Sequence, residues 1–294
     1  LVIIPILSGY LTDRYFHSKG RVLIKLMIAV MVTACLFLSL AGIFFTHAQT
    51  IYSYIPLLML VWVISMNMFY NPGLSLLAQT ARQSGWAYAS AVTGSVTDVV
   101  FSIVGFLIIF FRSLGHIYTF GAGALLVLVA SIYFYSSHKY DQTSDGEKEV
   151  PKTKLNWENY LSTFMVGLGL GFIHYRIVHH LAEHTYGIEG QIVVPAMMVG
   201  CSLLLFGFHN RLHNFNLLRL FISGFILCLM AYFIIMFTHG LTGTITGLLI
   251  LFPGILCVTG SAFGAALDRV PPAWSNFGTG VFLAGFNSMI YFIS

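Results

Sequence analysis

Of the ten acidic residues in the chain, Asp98 stands apart. It lies about a dozen residues into an apolar run that opens at Trp86, roughly 18 Å along it at the helical rise. Charge at that depth is costly, so such an acid faces a cavity, takes a partner or holds a proton. At helical spacing it shares a face with Gly94, Ser95, Ser102 and Gly105, all small or hydroxylated. An acid so placed can take up and release a driving proton or bind a cation. Equally, it can be hydrogen-bonded between helices for structure alone.

A second concentration is His174-Tyr175-Arg176-Ile177-Val178-His179-His180-Leu181-Ala182-Glu183-His184. On a regular helix Arg176, His179, His180 and Glu183 form one stripe at i, i+3, i+4 and i+7. Facing a central cavity, that stripe suits carboxylate or phosphate groups, with histidines that titrate near neutral pH. The plainer reading is the wet end of a helix that reaches the headgroups. Asn67, Asn71, Asn276 and Asn287 are amides in apolar runs, expected to face other helices or a cavity.

The elements that carry these groups are set by composition. Hydrophobic residues make up 57% of the chain and charged residues 8%, against about a quarter charged in soluble domains. Apolar runs of about 20 residues, each long enough to cross a hydrocarbon core as a helix, recur at 22–45, 51–80, 86–111, 116–136, 157–182, 189–208, 214–238, 242–266 and 273–293. With the opening run Leu1 to Leu7, expected to be a helix cut in its middle, they predict an all-α membrane protein of about ten helices. Cys35, Cys201, Cys228 and Cys257 fall one to a run, without CxxC spacing, and read as small core residues. Arg14, Lys19, Arg21 and Lys25, then Arg82, then Lys139, Lys148, Lys152 and Lys154, then Arg211 and Arg219, then Arg269 mark alternate loops as cytoplasmic. The stretch 137–156 is polar and of mixed charge, a cytoplasmic linker between 1–136 and 157–294. Asn71-Pro72-Gly73 followed by Arg82 is echoed by Pro253-Gly254 followed by Asp268-Arg269, as expected of a transporter built from internal repeats.

Gly9-x-Leu11-x-Asp13-Arg14 followed by Gly20-Arg21 resembles the signature loop between the second and third helices of the major facilitator superfamily, with Phe16 to Lys19 as an insertion. Gly207-x-x-Asn210-Arg211 is a weaker echo. The resemblance implies a 6+6 helical bundle with pseudo-two-fold related halves, here running from within helix two through helix eleven. It also implies a gate at Gly9, Asp13, Arg14, Gly20 and Arg21, in which Asp13 meets the positive end of a helix opening near Ala273 to Asn276. Many proton-driven exporters of the superfamily carry an arginine in helix four and a Gly-Pro pair in helix five, and runs 51–80 and 86–111 lack these.

The function expected is secondary transport of a small organic solute, anionic or amphipathic, across the cell membrane, with protons coupled through Asp98 and export as the expected direction. Asn67, Asn71, Asp98, Arg176, His179, His180 and Asn287 are the candidate solute contacts. A proton-coupled importer and an uncoupled facilitator are the alternatives. His174-x4-His179-His180 and His209-x3-His213 also resemble the histidine boxes of membrane di-iron desaturases. That enzyme reading is disfavoured, because run 189–208 would put the two clusters on opposite sides of the bilayer. No cofactor, resident metal or nucleic-acid partner is expected; the lipid bilayer is.

Overall fold

A computed structural model describes residues 2–15, 19–46, 53–138, 156–185, 189–212, 214–238 and 240–292. The described residues form ten helical rods. They are α1 (Ile3–Tyr15), α2 (Lys19–Thr46), α3 (Ile55–Ser84), α4 (Trp86–Leu114) and α5 (His116–His138), then a composite rod, then α8 (Gly190–Leu212), α9 (Leu217–Thr238), α10 (Leu241–Leu267) and α11 (Ser275–Ser288). In the composite rod α6 (Trp157–Gly171) runs without a break through a π-helical stretch, Phe172–Val178, into α7 (His179–His184). Apart from its ends, the expected linker 137–156 lies outside the described residues.

Among the described residues six helices are long and apolar enough to span a bilayer: Met27–Phe45, Ile55–Arg82, Trp157–Glu183, Gly190–Gly207, Leu217–Thr238 and Leu241–Leu267. The chain is thus an all-helical, multi-pass membrane protein. The expectation of some ten spans is coarser than the structure at two places. The opening run does not stop at Leu7, because nothing between Ser8 and Tyr15 breaks a helix; Gly9, Asp13 and Arg14 therefore sit on the last turns of α1, not in a loop. The run 273–293 yields only 14 residues of α-helix, since Pro271 and Pro272 lead into a 3-10 turn before Ser275 and the chain tightens to 3-10 again at Met289.

Large apolar side chains cover the surface as well as the core, and polar ones are buried between helices. Leu203, Phe237, Leu249, Leu125 and Tyr133 point outward, while Ser95, Asp98, Thr163, His174, Ser202, Thr259 and Asn276 are buried. With lipid as solvent, apolar side chains gain nothing from leaving the surface, and helices are joined instead by close packing and hydrogen bonds. Thr33 and Ser65 share a hydrogen bond of 2.7 Å between α2 and α3. Thr163 donates to Ala266 O (2.6 Å) between α6 and α10. The Asn71 amide donates to Pro5 O (2.5 Å) and holds α3 to α1.

The helix pairings map onto themselves when α1, α2, α3 and α4 are exchanged for α8, α9, α10 and α11. Thus α1 packs on α11 as α8 packs on α4, α2 on α3 as α9 on α10, and α1 on α3 as α8 on α10. The crossings of α1 with α11 and of α4 with α8 and α10 join the chain before residue 139 to the chain after 155. At the first crossing a Cβ on Gly9 would overlap the Asn276 carbonyl, and one on Gly280 the Pro5 carbonyl, so only glycine allows this approach.

Candidate functional site

Asp98 meets His174, at a helix crossing. Asp98 Oδ1 lies 3.0 Å from His174 Nε2, and both side chains are fully buried. Asp98 stands on α4 and His174 in the π-helical stretch, so the pair links the two parts of the chain. π-helical turns are uncommon and concentrate at functional sites. Here consecutive rings, His174 and Tyr175, both contact Phe101 (4.8 and 5.1 Å) and Phe286 (6.2 and 5.3 Å). The wider turn aims neighbouring side chains at one wall.

The hydrogen-bond geometry fixes the proton count of this pair. His174 Nδ1 is 3.0 Å from Leu170 O, an acceptor only, so Nδ1 carries a proton. Nε2 can then face Asp98 Oδ1 in one of two ways: as imidazolium donating to a carboxylate, or as a neutral ring accepting from a carboxyl O–H. Either way one proton lies between them. Without it a carboxylate would face an imidazole lone pair at 3.0 Å, with both side chains buried. Asp98 Oδ2 has no hydrogen-bond partner among the described residues. Thr259 stands beside the carboxylate, but its single hydroxyl proton goes to Ile255 O (2.8 Å).

The remainder of the expected Asp98 face is used for packing. A Cβ on Gly94 would overlap the Thr259 carbonyl of α10. Ser95 donates to Ser202 O (3.0 Å) and Ser202 to Ser95 O (3.2 Å), clamping α4 to α8 one turn from Asp98. Ser102 donates to Asp98 O (2.6 Å). The Gly105 environment lies outside the description.

A second polar crossing stands at the end of α1. Asp13, buried, accepts from Asn276 Nδ2 (2.7 Å) and Asn276 N (3.3 Å) at Oδ1 and from Phe277 N (2.6 Å) at Oδ2. The carboxylate thereby caps the N-terminus of α11, where backbone N–H groups lack helical partners and the dipole is positive. Nearby, Arg82 at the end of α3 donates to Val270 O, beyond α10. The exposed Arg14 turns back to the Tyr10 hydroxyl (2.8 Å). Gly20 and Arg21 open α2, their side chains outside the description.

The histidine-rich stripe does not converge on Asp98. Arg176 is exposed, His179 pairs with Glu183 at 3.6 Å on the surface, and the half-buried His180 packs on Tyr232 (5.7 Å). His174, which the stripe omits, is the one that arrives, because it lies on the opposite, apolar face with Ile173, Ile177, Val178 and Leu181. Its signal in the sequence was its type: an ionisable ring opposite a lone buried acid. Asn67 is half-buried and donates to Val63 O in its own helix (2.8 Å); Asn287 is half-buried on α11. Of the other histidine box, His209 contacts Tyr88 (5.4 Å), ten residues along α4 from Asp98, about 15 Å by helical rise. His213 lies outside the description, and no three His, Cys, Asp or Glu gather among the described residues. No family model and no curated protein matches the chain.

Proposed function

We propose that the chain is a proton-coupled secondary transporter of the major facilitator type, moving a small organic solute by alternating access between two helix bundles. The observation that carries this reading is the Asp98–His174 pair: two ionisable groups, one from each side of the α4 crossing, sealed from water and requiring a shared proton. An acid and a base at membrane depth serve relays more readily than packing. The helix pairings that survive exchange of the two halves support the same reading, since transporter sites form between internal repeats.

In this mechanism the proton holds the bundles together at the centre. Its loss sets like electron density face to face, and the pair relaxes only by parting and admitting water. At the face carrying Arg14, Arg82 and Arg269, which positive loops assign to the cytoplasm, Asp13 on α11 and Arg82 on Val270 O hold the same interface shut. Parting them lets the bundles rock about the centre. Asn287 is the candidate amide left for a solute, as the Asn67 and Asn71 nitrogens are taken by Val63 O and Pro5 O.

Solute counterflow in proteoliposomes, screened over organic anions and amphipathic metabolites, tests transport itself. Accelerated exchange of at least one solute is the expected result. Exchange no faster than in protein-free vesicles across the panel, with folded protein, overturns the proposal.

A further inference from the structure

We infer that the cavity between the α3–α4 turn and the end of α10 binds a phosphate group. The cavity, about 320 Å³, is lined by Arg82, Trp86, Ala87, Asn216, Asp268 and Arg269 among others. Two arginines against one aspartate leave it with one net positive charge. Arg82 is held in place: it donates to Val270 O, and its guanidinium carbon lies 5.5 Å from the Trp86 ring centroid. Its Nε is buried without a hydrogen-bond partner among the described residues. A guanidinium fixed on the wall of a polar cavity, beside a second arginine, matches a phosphate oxygen set better than it matches water alone.

The internal exchange of helices sets this crossing beside that of α1 on α11. At the first crossing α1 supplies Asp13 to the N-terminus of α11. At the equivalent crossing α4 opens at Gly85 with no side-chain cap, and α8 contains no acidic residue to offer. The cavity reaches Gly85, Trp86 and Ala87. A phosphate there would add to the arginine contacts those of the free helix end. It would also bridge Arg82 before the 137–156 segment to Arg269 after it, reinforcing closure of this face. The inference does not depend on transport.

The phosphate can be a lipid headgroup at this membrane face or a free anion, and two probes separate them. Native mass spectrometry of the detergent-purified full chain would compare retention of phosphatidylglycerol with phosphatidylcholine. A thermal ramp would compare inorganic phosphate with chloride at equal ionic strength. We expect preferential retention, a phosphate-dependent rise in Tm, or both. Arg269→Gln, at an exposed position, and Arg82→Gln should each weaken the binding about tenfold. Ala87→Asp, which supplies a carboxylate at the helix end, should abolish it. Retention of the lipid without a phosphate shift assigns the headgroup, and a phosphate shift assigns the free anion. Absence of both, or binding unchanged in all three variants, overturns the inference.

Discussion

Replacing Asp13 by Asn should loosen the α1–α11 crossing by an amount that the structure permits to be worked out. The carboxylate is buried and receives three N–H donors from Asn276 and Phe277 at 2.6 to 3.3 Å. An amide keeps one acceptor but sets its NH2 against an N–H donor, losing a charge-assisted bond of about 1.5–3 kcal/mol. It also gives up the interaction with the α11 dipole, roughly 0.3–1 kcal/mol. The sum, about 2–4 kcal/mol, is roughly a 30- to 1,000-fold rise in the ratio of open to closed crossing. Ser275, 1% exposed at the start of α11, reports that ratio when replaced by cysteine in a background without the four native cysteines. Its labelling by a membrane-impermeant maleimide should accelerate at least 30-fold in Asp13→Asn and return toward the parent rate in Asp13→Glu. An unchanged rate in a folded protein would refute the reasoning, because the carboxylate would then contribute nothing to closure.

Other outcomes follow from the same packing. Truncating His174 to Ala leaves Asp98 buried and unpartnered and should cost about 1–3 kcal/mol in a detergent thermal melt; a double-mutant cycle with Asp98→Asn should return a coupling of at least about 0.5 kcal/mol. Gly9→Leu should lower Tm by overlap with the Asn276 backbone, whereas Gly42→Ala, with open space at its Cβ, should leave Tm unchanged or slightly raised. Cys35, exposed on α2, should react with a membrane-permeant maleimide in the folded protein, and the buried Cys201 and Cys228 only on unfolding, as peptide mass spectrometry would show.

Asp98 was legible because a lone acid in an apolar run has few physically tolerable fates, and a partner is one of them. His174 was not, although its type was visible. It is one of four histidines in eleven residues, and its sign is the apolar face it shares with Ile173, Ile177, Val178 and Leu181, all buried. Arg176, His179 and Glu183 do share a face, but it is the exposed one, opposite to the face that meets Asp98. The contact of Asp13 with a helix N-terminus was legible in its chemistry and not in its geometry. Asp13 reaches the N-terminus of α11, yet it does so from a continuing helix, because hydrophobic and polar residues at 8–15 are equally compatible with helix and loop. The close approaches at Gly94, Ser202 and Gly280 were not legible, since their partners lie far along the chain and no local pattern names them. The cavity beside Arg82 was out of reach of sequence, since it forms where three separate connections meet.

The most direct test is solute-dependent proton movement in proteoliposomes carrying an internal pH dye, with a solute found by counterflow and an imposed pH gradient. The native chain should move protons when solute is added. Asp98→Asn should cut that movement at least tenfold while still exchanging solute. Equal proton movement in the two proteins would contradict coupling through the Asp98–His174 pair.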